Sequence, residues 1–323
     1  MVTGATGFIG SHLTEALVQK GFHVRCLVRN TRHLGWIKNA PVEIVTGNCQ
    51  EPNSLKHAVK EVDQVFHLAG ATMAVNEKTY FEVNALGTEN LVKACIENNT
   101  RLTKFIYLSS QAAAGPCRIG QKKQESDPCK PVSPYGKSKL LGEELALSHS
   151  RELPLLILRP CAVYGPRDKG FYTFFKCLSR HIKPCLSDNN QHISMGYVQD
   201  IVRAILLAAE ARTKNGEIFF LSDGHDYRVT EIGDIFAQAM AISALRIRLP
   251  KQMLFGMALI SECFSRISGK PSVMSRGKIA ELTQQNWLCD ISKANALLGF
   301  EPRISLSRGA ELTVAWYRNE NWL

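Results

Sequence analysis

The sequence predicts an α/β fold, a doubly wound parallel sheet with a smaller, mostly helical C-terminal domain. Short runs rich in β-branched and aromatic residues alternate with helical stretches through the first half of the chain. Three glycines, Gly4, Gly7 and Gly10, follow Val2 and Thr3 directly at the start of this alternation. At 323 residues with 45% hydrophobic content, the chain is long enough for a large domain and a smaller partner.

The first ten residues predict a site for a pyrophosphate group. A strand, a glycine turn and the amphipathic run Ser11–Gln19 place free backbone N–H groups and a positive helix dipole together. Gly4 makes the tight turn, Gly7 admits the phosphates, and Gly10 lets the helix pack on the strand. This is the arrangement of a Rossmann dinucleotide-binding unit, although a glycine triplet alone is weak evidence.

The first strand is unexpectedly short. A buried parallel strand needs about five or six residues, whereas three residues precede Gly4. We expect a strand truncated to about three residues. If the protein binds its cofactor poorly, restored upstream residues should rescue binding.

The second strand, Phe22–Arg29, favours NADP(H) over NAD(H) as the cofactor. In dinucleotide folds an acidic residue at this strand's end binds the ribose 2′-hydroxyl, whereas an arginine accommodates a 2′-phosphate. Here Arg29 and then Arg32 occupy this region, and no acidic residue appears between Arg29 and Glu43. NAD(H) remains possible.

The next three strands, predicted at 42–47, 64–70 and 104–110, carry small or polar residues at their ends. Helices are predicted between them at 52–59 and 80–97. Ala69 and Gly70 leave room for a flat cofactor, and Ser110 places a hydroxyl at the end of the fifth strand. We therefore expect the site along the carboxyl edge of the sheet.

Tyr135 and Lys139 begin the following helix, after a long polar loop over 111–134. Residues four apart project from one helix face, and a lysine ammonium beside a phenol lowers the tyrosine pKa. That pairing makes a tyrosine usable as an acid or base, and Ser110 is placed to hold the substrate oxygen. By itself this spacing is common on helices.

The rest of the chain predicts the domain organisation. After a strand at 155–160, a helix begins near Asp200 and a strand follows at 217–221; helices then dominate, at 229–240, 253–267 and 275–283. We expect residues 1–166 and 196–222 to form the dinucleotide-binding domain. Residues 167–195 and 223–323 are expected to form the substrate-binding domain.

Composition limits the other classes of function. Ten cysteines lack C-x-x-C spacing and histidines in ligand register, which indicates reduced thiols in a cytoplasmic protein without a metal site. The net charge of +10 comes from basic residues that lie dispersed along the chain, so we expect a phosphate-bearing cofactor and no nucleic acid. No segment has the ~18 apolar residues of a membrane span, and no signal peptide is expected, since the chain opens on the turn.

Taken together, these stretches resemble the extended short-chain dehydrogenase/reductase family, also called the NAD-dependent epimerase/dehydratase family. The resemblance covers nearly the whole chain in the right order. It is carried by T-G-A-T-G-F-I-G at 3–10, V-F-H-L-A-G at 65–70, V-N-A-L-G-T-E-N at 83–90, S-S at 109–110, Y-G-K-S-K at 135–139, L-R-P-C-A-V-Y-G-P-R at 158–167, Y-V-Q-D at 197–200 and L-L-G-F-E-P at 297–302.

The resemblance implies roles for individual residues. Tyr135 is the implied general acid/base, Lys139 binds the nicotinamide ribose and lowers the Tyr135 pKa, and Ser110 hydrogen-bonds the substrate oxygen. Asn84 helps to position the Lys139 end of the site. The expected cofactor contacts are Gly4, Thr6, Gly7, Phe8, Ile9, Gly10, Arg29, Arg32, Asn48, Cys49, Leu68, Ala69, Gly70, Asn84, Tyr135, Lys139, Pro160 and Val163.

Departures from the family pattern narrow the chemistry. Gln111-Ala112 follow Ser110 where sugar 4,6-dehydratases have Asp-Glu, and 194–196 lacks the arginine that meets a nucleotide-sugar diphosphate. The C-terminal half is similar to dihydroflavonol-reductase-like and 3β-hydroxysteroid-dehydrogenase-like proteins. We therefore expect an NAD(P)-dependent oxidoreductase for a ketone or secondary alcohol of a small, apolar substrate. A nucleotide-sugar epimerase with tightly held NAD and a non-catalytic cofactor sensor are the alternatives.

Two apolar features have more than one interpretation. Residues 253–260 either line a hydrophobic pocket or pack in the core. The family implies a homodimer, for which Leu91, Leu140 and Leu141 are candidate contacts, although the same leucines can pack on the parent sheet.

Overall fold

A computed structural model describes residues 1–186, 190–272 and 274–323. In chain order the strands are β1 Val2–Thr3, β2 Arg25–Val28, β3 Glu43–Thr46, β4 Gln64–His67, β5 Lys104–Leu108, β6 Leu155–Pro160, β7 Ala162–Tyr164, β8 Ile182–Leu186, β9 His192–Ile193, β10 Met195–Tyr197, β11 Glu217–Leu221, β12 Tyr227–Arg228, β13 Leu245–Leu249 and β14 Asn286–Trp287. The α-helices are α1 Phe8–Gln19, α2 Pro52–Ala58, α3 Glu77–Phe81, α4 Gly87–Asn98, α5 Gln111–Ala114, α6 Pro134–Leu147, α7 Lys169–Leu178, α8 Val198–Glu210, α9 Val229–Ala239, α10 Lys251–Ser268, α11 Arg276–Leu282, α12 Ser292–Leu298 and α13 Leu306–Asn319.

Seven parallel strands form the central sheet, in the order β3-β2-β1-β4-β5-β6-β11. The chain moves outward from β1 to β3, returns to β4 on the other side of β1, and then moves outward again. The strand order therefore reverses between β1 and β4, which is where α/β sheets of this kind bind ligands. The predicted doubly wound parallel sheet is confirmed.

Alternate residues of each strand supply two cores on opposite faces of the sheet. One core packs Cys26, Phe66 and Ile106 against helices α1 and α8. The other packs Val65 and Phe105 with helices α2, α4 and α6. Because both faces are covered, most residues within the strands are apolar, as is typical of parallel sheets.

Strand β1 is as short as its sequence predicts. It contains Val2 and Thr3, yet it pairs with both β2 and β4. Met1 extends the pairing: its nitrogen donates to the Gln64 carbonyl at 2.6 Å, and its own carbonyl accepts from the Phe66 nitrogen at 2.9 Å. Val2, Thr3 and their flanking backbone thus connect the two halves of the sheet.

Several local predictions are wrong in detail. The segment 111–134, expected to be a loop throughout, begins with helix α5, because the Ser110 hydroxyl caps it by accepting from the Ala112 nitrogen. The helix expected over 80–97 contains a π-turn at Glu82–Leu86. Short pairings of β13 with β8, and of β9 with β12 and β14, were not predicted, because strands of two to five residues give little periodic signal.

The apolar stretch 253–260 neither forms core throughout nor lines the cavity described below. It lies in α10, where Leu254 and Ala258 are buried but Met253, Met257 and Ile260 are exposed. One narrow face of the helix meets the protein, so the remaining apolar residues point outward.

The leucines proposed for a dimer contact lie mostly within the protomer. Leu91 is fully buried in the core, which contradicts its interpretation as an exposed residue, and Leu140 and Leu141 are partly buried. Of the three, Leu91 belongs to the core that α4 and α6 form with the sheet.

No helix in the described ranges has both the length and the apolar character needed to cross a bilayer.

Candidate active site

The carboxyl ends of the parallel strands bring the predicted site residues to one edge. Gly4 follows β1, Arg29 and Arg32 follow β2, and Ser110 lies just after β5. The remaining predicted contacts lie in the segments that leave the same edge or in the helix starts beside it: Thr6, Phe8 and Ile9 at the start of α1, Asn48 and Cys49 after β3, Leu68 to Gly70 after β4, Pro160 at the end of β6 and Val163 in β7. Their roles in binding stay predictions.

The glycine turn is so tightly packed that side chains are excluded. Gly4 adopts φ +71°, and a Cβ there would lie 2.7 Å from the Ala69 nitrogen. A Cβ on Gly10 would lie 2.1 Å from the Gly4 carbonyl oxygen. Helix α1 begins after Gly7 without a side-chain cap, so its first backbone N–H groups are available to an anion. The turn therefore fits the cradle for a pyrophosphate that the sequence predicts.

The turn is joined to the rest of the site by a buried chain of hydrogen bonds through His67. The Thr3 hydroxyl accepts from the Ala69 nitrogen at 3.1 Å and lies 2.8 Å from His67 Nδ1. His67 Nε2 lies 2.9 Å from the Thr88 hydroxyl, which donates to the Asn84 carbonyl at 2.7 Å. Because the Thr88 hydroxyl uses its proton on the Asn84 carbonyl, it accepts from His67, and the imidazole proton is therefore assigned to Nε2. Burial lowers the pKa of His67 to about 3, so the ring is neutral.

Asn84 lies in the π-turn, a feature often found at functional sites. Its side chain accepts from the Ala71 nitrogen at 2.7 Å and donates to the Ala71 carbonyl at 3.0 Å and to the Ser138 hydroxyl at 2.9 Å. A Cβ on Gly70 would come 3.1 Å from Asn84 Oδ1 and 3.8 Å from Lys139 Nζ. Asn84 thus fixes the segment after β4 against helix α6, and Gly70 lies close to both Asn84 and Lys139.

Helix α6 places Tyr135 and Lys139 beside the end of β5. The helix is capped by Ser133, whose hydroxyl accepts from the Gly136 nitrogen at 3.0 Å, and Pro134 occupies its first turn. Lys139 is buried, and its ammonium donates to the Leu108 carbonyl at 2.8 Å. The Ser110 hydroxyl lies near enough to the Tyr135 phenol to act on its pKa, which it lowers. The structure thus brings Ser110, Tyr135 and Lys139 together.

The ionisation of this group differs from the prediction. Burial raises the pKa of Tyr135 to about 12, and the nearby Ser110 hydroxyl only partly opposes this. Burial also lowers the pKa of Lys139 to about 7. The lowered tyrosine pKa expected from the spacing is wrong for this arrangement, because desolvation of the phenol outweighs the effect of the Ser110 hydroxyl. Tyr135 therefore holds its proton at neutral pH.

A buried ion pair supports the lysine from one helical turn away. Glu143, four residues after Lys139, accepts from Arg159 Nε at 3.0 Å and from Arg159 Nη2 at 2.5 Å. Both side chains are almost completely buried. The Glu143 carboxylate acts against desolvation and raises the pKa of Lys139.

Helix α11 covers the start of α6. The Ser133 hydroxyl donates to Glu281 at 2.5 Å, and a Cβ on Gly277 would lie 2.9 Å from Pro134. The Tyr80 and Tyr135 rings pack edge to face, with their centroids 6.2 Å apart. A cavity of about 480 Å³ lies where α11 ends and the segment after α5 passes; it is lined by Pro116, Cys117, Arg118, Ile119, Lys251, Thr283, Gln284, Gln285 and Asn286.

Two buried polar side chains flank Ser110 and are free to hydrogen-bond a ligand. Ser109 Oγ and Gln111 Nε2 are buried and have no hydrogen-bond partner within the part of the chain that the structure describes. Buried polar groups are otherwise almost always satisfied. Together with the glycine cradle, these unpaired atoms fit the binding of a dinucleotide and a polar substrate group along this edge.

Within the same described ranges, no three His, Cys, Asp or Glu side chains are grouped closely enough to hold a metal ion. All ten cysteines lie in these ranges as free thiols.

A doubly wound sheet with a glycine cradle and a serine–tyrosine–lysine group defines the class of nicotinamide-dependent dehydrogenases and epimerases. The family model described as "NAD dependent epimerase/dehydratase family" matches residues 1–222. The chain belongs to this family, whose members are NAD-dependent oxidoreductases and epimerases that act on small molecules.

Three relatives show the range of the family. A ceramide reductase of Caulobacter vibrioides is 32% identical, with 100% of this chain and 95% of the relative covered. A 4-hydroxy-2-methyl-3-oxo-4-farnesyl-3,4-dihydroquinoline-1-oxide ketoreductase of Stigmatella aurantiaca is 26% identical, with 96% and 94% covered. The UDP-glucuronic acid 4-epimerase from Bacillus cereus, solved with UDP-glucuronic acid and NAD, is 26% identical with a TM-score of 0.80, and 99% of this chain and 98% of that chain are covered.

Several residues that shape the site were not identified from sequence. Glu143 and Arg159 lie in predicted elements, but a charged residue in a helix or strand is usually solvated. His67 stands within a quoted motif without an assigned role. A signal was available in one case: Lys139 and Glu143 are four apart, which places a carboxylate on the lysine's helix face.

Proposed function

We propose that this protein is an NADP(H)-preferring oxidoreductase that reduces a ketone, or oxidises a secondary alcohol, of an apolar substrate. The observation that carries the proposal is the grouping of Ser110, Tyr135 and Lys139 at the sheet edge, within reach of the glycine cradle. A pure cofactor sensor has no use for an acid/base group. The names of the ceramide and farnesyl-quinoline relatives support an apolar substrate.

Each residue of the group has a distinct task in the reductive direction. The Ser110 hydroxyl hydrogen-bonds the substrate carbonyl oxygen, and Tyr135 gives its phenolic proton to that oxygen. Bound NADP(H) supplies the hydride to the carbonyl carbon. Lys139 holds the nicotinamide ribose, and its positive charge stabilises the phenolate that Tyr135 leaves behind. A Tyr135 pKa of about 12 suits this direction, because the phenol remains protonated until substrate arrives.

The structure offers little to a nucleotide-sugar diphosphate at the place where many epimerases bind it. Ser194, Met195 and Gly196 are buried, and the Ser194 hydroxyl already accepts from the Cys289 nitrogen at 3.2 Å. No cationic side chain stands in this segment. This supports a reductase over an epimerase, despite the similarity to the Bacillus cereus enzyme.

The preference for NADP(H) depends on Arg29. Arg29 and Arg32 are exposed after β2, and Arg29 lies close enough to Cys49 for its charge to act on the thiol. A guanidinium in this position pairs with a ribose 2′-phosphate.

We expect Arg29→Asp to shift the preference towards NAD(H). The carboxylate repels a 2′-phosphate and accepts from a 2′-hydroxyl, so the NADP(H) dissociation constant should rise by about tenfold or more. Fluorescence titration with NADPH and NADH measures both constants. Lys38→Asp, at another exposed basic position, is the control for net charge; unchanged NADPH affinity in Arg29→Asp would contradict the assignment.

Three further properties are part of the proposal. We propose that residues 1–166 and 196–222 bind the cofactor and that 167–195 and 223–323 bind the substrate. The return of β11 to the main sheet supports this division. We also propose a homodimer, as the family resemblance suggests, and a cytoplasmic location, which the ten cysteines without paired spacing favour.

A substrate screen tests the central proposal. The purified protein is incubated with NADPH or NADH and with steroid, flavonoid, β-ketoacyl, long-chain amino-ketone and UDP-sugar substrates. Net NADPH oxidation with an apolar ketone is the expected result. UDP-sugar interconversion without net cofactor turnover would instead identify an epimerase, and no turnover on any substrate would favour a sensor.

A further inference from the structure

Helix α10 presents an apolar stripe to the outside of the protein. The helix has 18 residues, and its large apolar side chains recur at alternating spacings of four and three. Phe264 and Ile267 are 71% and 85% exposed. The stripe consists of Met253, Met257, Ile260, Phe264 and Ile267.

The opposite face of α10 attaches the helix to the protein through a small cluster. Leu254 and Ala258 are buried against Ile279 of α11, with Leu249 and Met274 at the margin. Near the C-terminal end, the Ser265 hydroxyl donates to the Lys270 carbonyl at 2.6 Å. These contacts orient the helix so that the stripe lies on its outward face.

Basic residues lie before, within and after α10. Residues 245–278 contain seven lysines and arginines and one acidic residue, Glu262, and so carry a net charge of +6 out of the chain's +10. Glu262 is already bound to Arg276 at 2.8 Å. Arg248, Arg266 and Lys270 form no ion pair within residues 1–186, 190–272 and 274–323.

We propose that the α10 stripe and its basic border bind the surface of an anionic lipid bilayer. An apolar helix face beside lysines and arginines is the arrangement by which a helix lies in a membrane interface without crossing it. The basic border adds attraction to anionic lipid headgroups. A second copy of this chain fits less well, because a symmetric contact would bring two surfaces of the same charge together.

Docking of this kind would place the cavity beside the bilayer. Lys251, the first residue of α10, also lines that cavity, together with Ile119, which is largely exposed. An apolar substrate dissolved in the membrane would then reach this cavity with little exposure to water. This consequence rests on the proposed function, whereas the binding of α10 to lipid does not.

Vesicle sedimentation tests the binding surface without any turnover. The probes are vesicles of phosphatidylcholine mixed with phosphatidylglycerol, and of phosphatidylcholine alone. We expect binding to the anionic vesicles that weakens with salt. Ile260→Ser, Phe264→Ser and Ile267→Ser together should lower the partition coefficient by at least about tenfold. Arg248→Gln, Arg266→Gln and Lys270→Gln together should lower it by about one hundredfold, since each basic residue near an anionic surface contributes about fivefold.

Matched controls separate this surface from general stickiness and charge. The variant Phe22→Ser with Leu297→Ser removes exposed apolar residues elsewhere on the protein and should bind vesicles as the wild type does. The variant Lys60→Gln with Arg212→Gln and Lys214→Gln removes three exposed positive charges away from α10 and should also bind as the wild type does. Circular dichroism checks that each variant is folded. Absent binding to anionic vesicles, or equal binding by the α10 variants, would overturn the proposal. The proposal would also be overturned if the protein formed a dimer in sedimentation equilibrium and the triple serine variant of α10 dissociated this dimer but still bound vesicles.

Discussion

Tyr135→Phe is expected to lower kcat for carbonyl reduction by about 10²–10⁴-fold, the usual contribution of a positioned general acid. The ring remains, so its edge-to-face contact with Tyr80 and the packing of α6 are kept. Only the hydroxyl that faces Ser110 is removed. NADPH affinity should therefore change little, and the loss should appear in kcat. Steady-state kinetics and NADPH titration of the same preparation measure the two effects.

Tyr80→Phe is the control for this variant. Tyr80 lies against Tyr135, but its hydroxyl faces the Ala74 backbone, so kcat should be nearly unchanged. The pH dependence gives a second readout. With a pKa of about 12, Tyr135 is protonated across the neutral range, so reduction should lose no activity through this residue as pH rises. Oxidation needs the phenolate and should increase with pH. Full activity in Tyr135→Phe would refute the assignment.

Glu143→Gln is expected to destabilise the protein by about 3 to 5 kcal/mol, the usual cost of breaking a buried ion pair. The variant leaves the Arg159 guanidinium buried without its carboxylate, and Arg159 Nη1 already has no partner in the described structure. Such a loss is a large part of the stability of an ordinary domain. Urea unfolding followed by circular dichroism measures it.

The neighbouring residue provides a matched control. Glu144→Gln removes the same charge from an exposed position on the same helix, so its effect should stay within about 0.5 kcal/mol. Glu143→Leu combined with Arg159→Met should recover most of the stability, because no charge then remains buried. If Glu143→Gln unfolds at the same urea concentration as wild type, the buried pair does not stabilise the fold.

Glu143→Gln also changes the site itself. Glu143 raises the pKa of Lys139 against the effect of burial, so its removal should lower that pKa further below about 7. Lys139 would then lose its charge at a lower pH than in wild type. The pH at which activity declines on the alkaline side should move down, a shift that a purely structural role would not produce.

The sheet and the position of the site were predictable because both depend on local patterns. The strands at 64–70, 104–110 and 155–160 are apolar runs, and their parallel order follows from the helices between them. The positive φ of Gly4 agrees with its predicted place at the tight turn, and the close packing of Gly10 against the Gly4 backbone agrees with its predicted place where the helix meets the strand. Short-range sequence was sufficient for these features.

Features that depend on burial were harder to predict. The spacing of Tyr135 and Lys139 is visible in sequence, but the desolvation that decides their pKa values is not. The stripe of α10 has the periodicity of a core helix, and only the tertiary structure shows that Phe264 and Ile267 point outward. Likewise, nothing in the order of residues indicates that Glu143 and Arg159 meet.

The hydrogen-bond chain through His67 has a consequence for how members of this family can be recombined. Thr3 belongs to the first strand, His67 to the fourth and Thr88 to a later helix, yet each side chain is hydrogen-bonded to the next. A chimaera that exchanges the opening strand–turn–helix alone would leave a neutral, buried imidazole without its hydroxyl partner. The glycine turn and the segment bearing Asn84 therefore have to be exchanged together, although 79 residues of chain lie between Gly4 and Asn84.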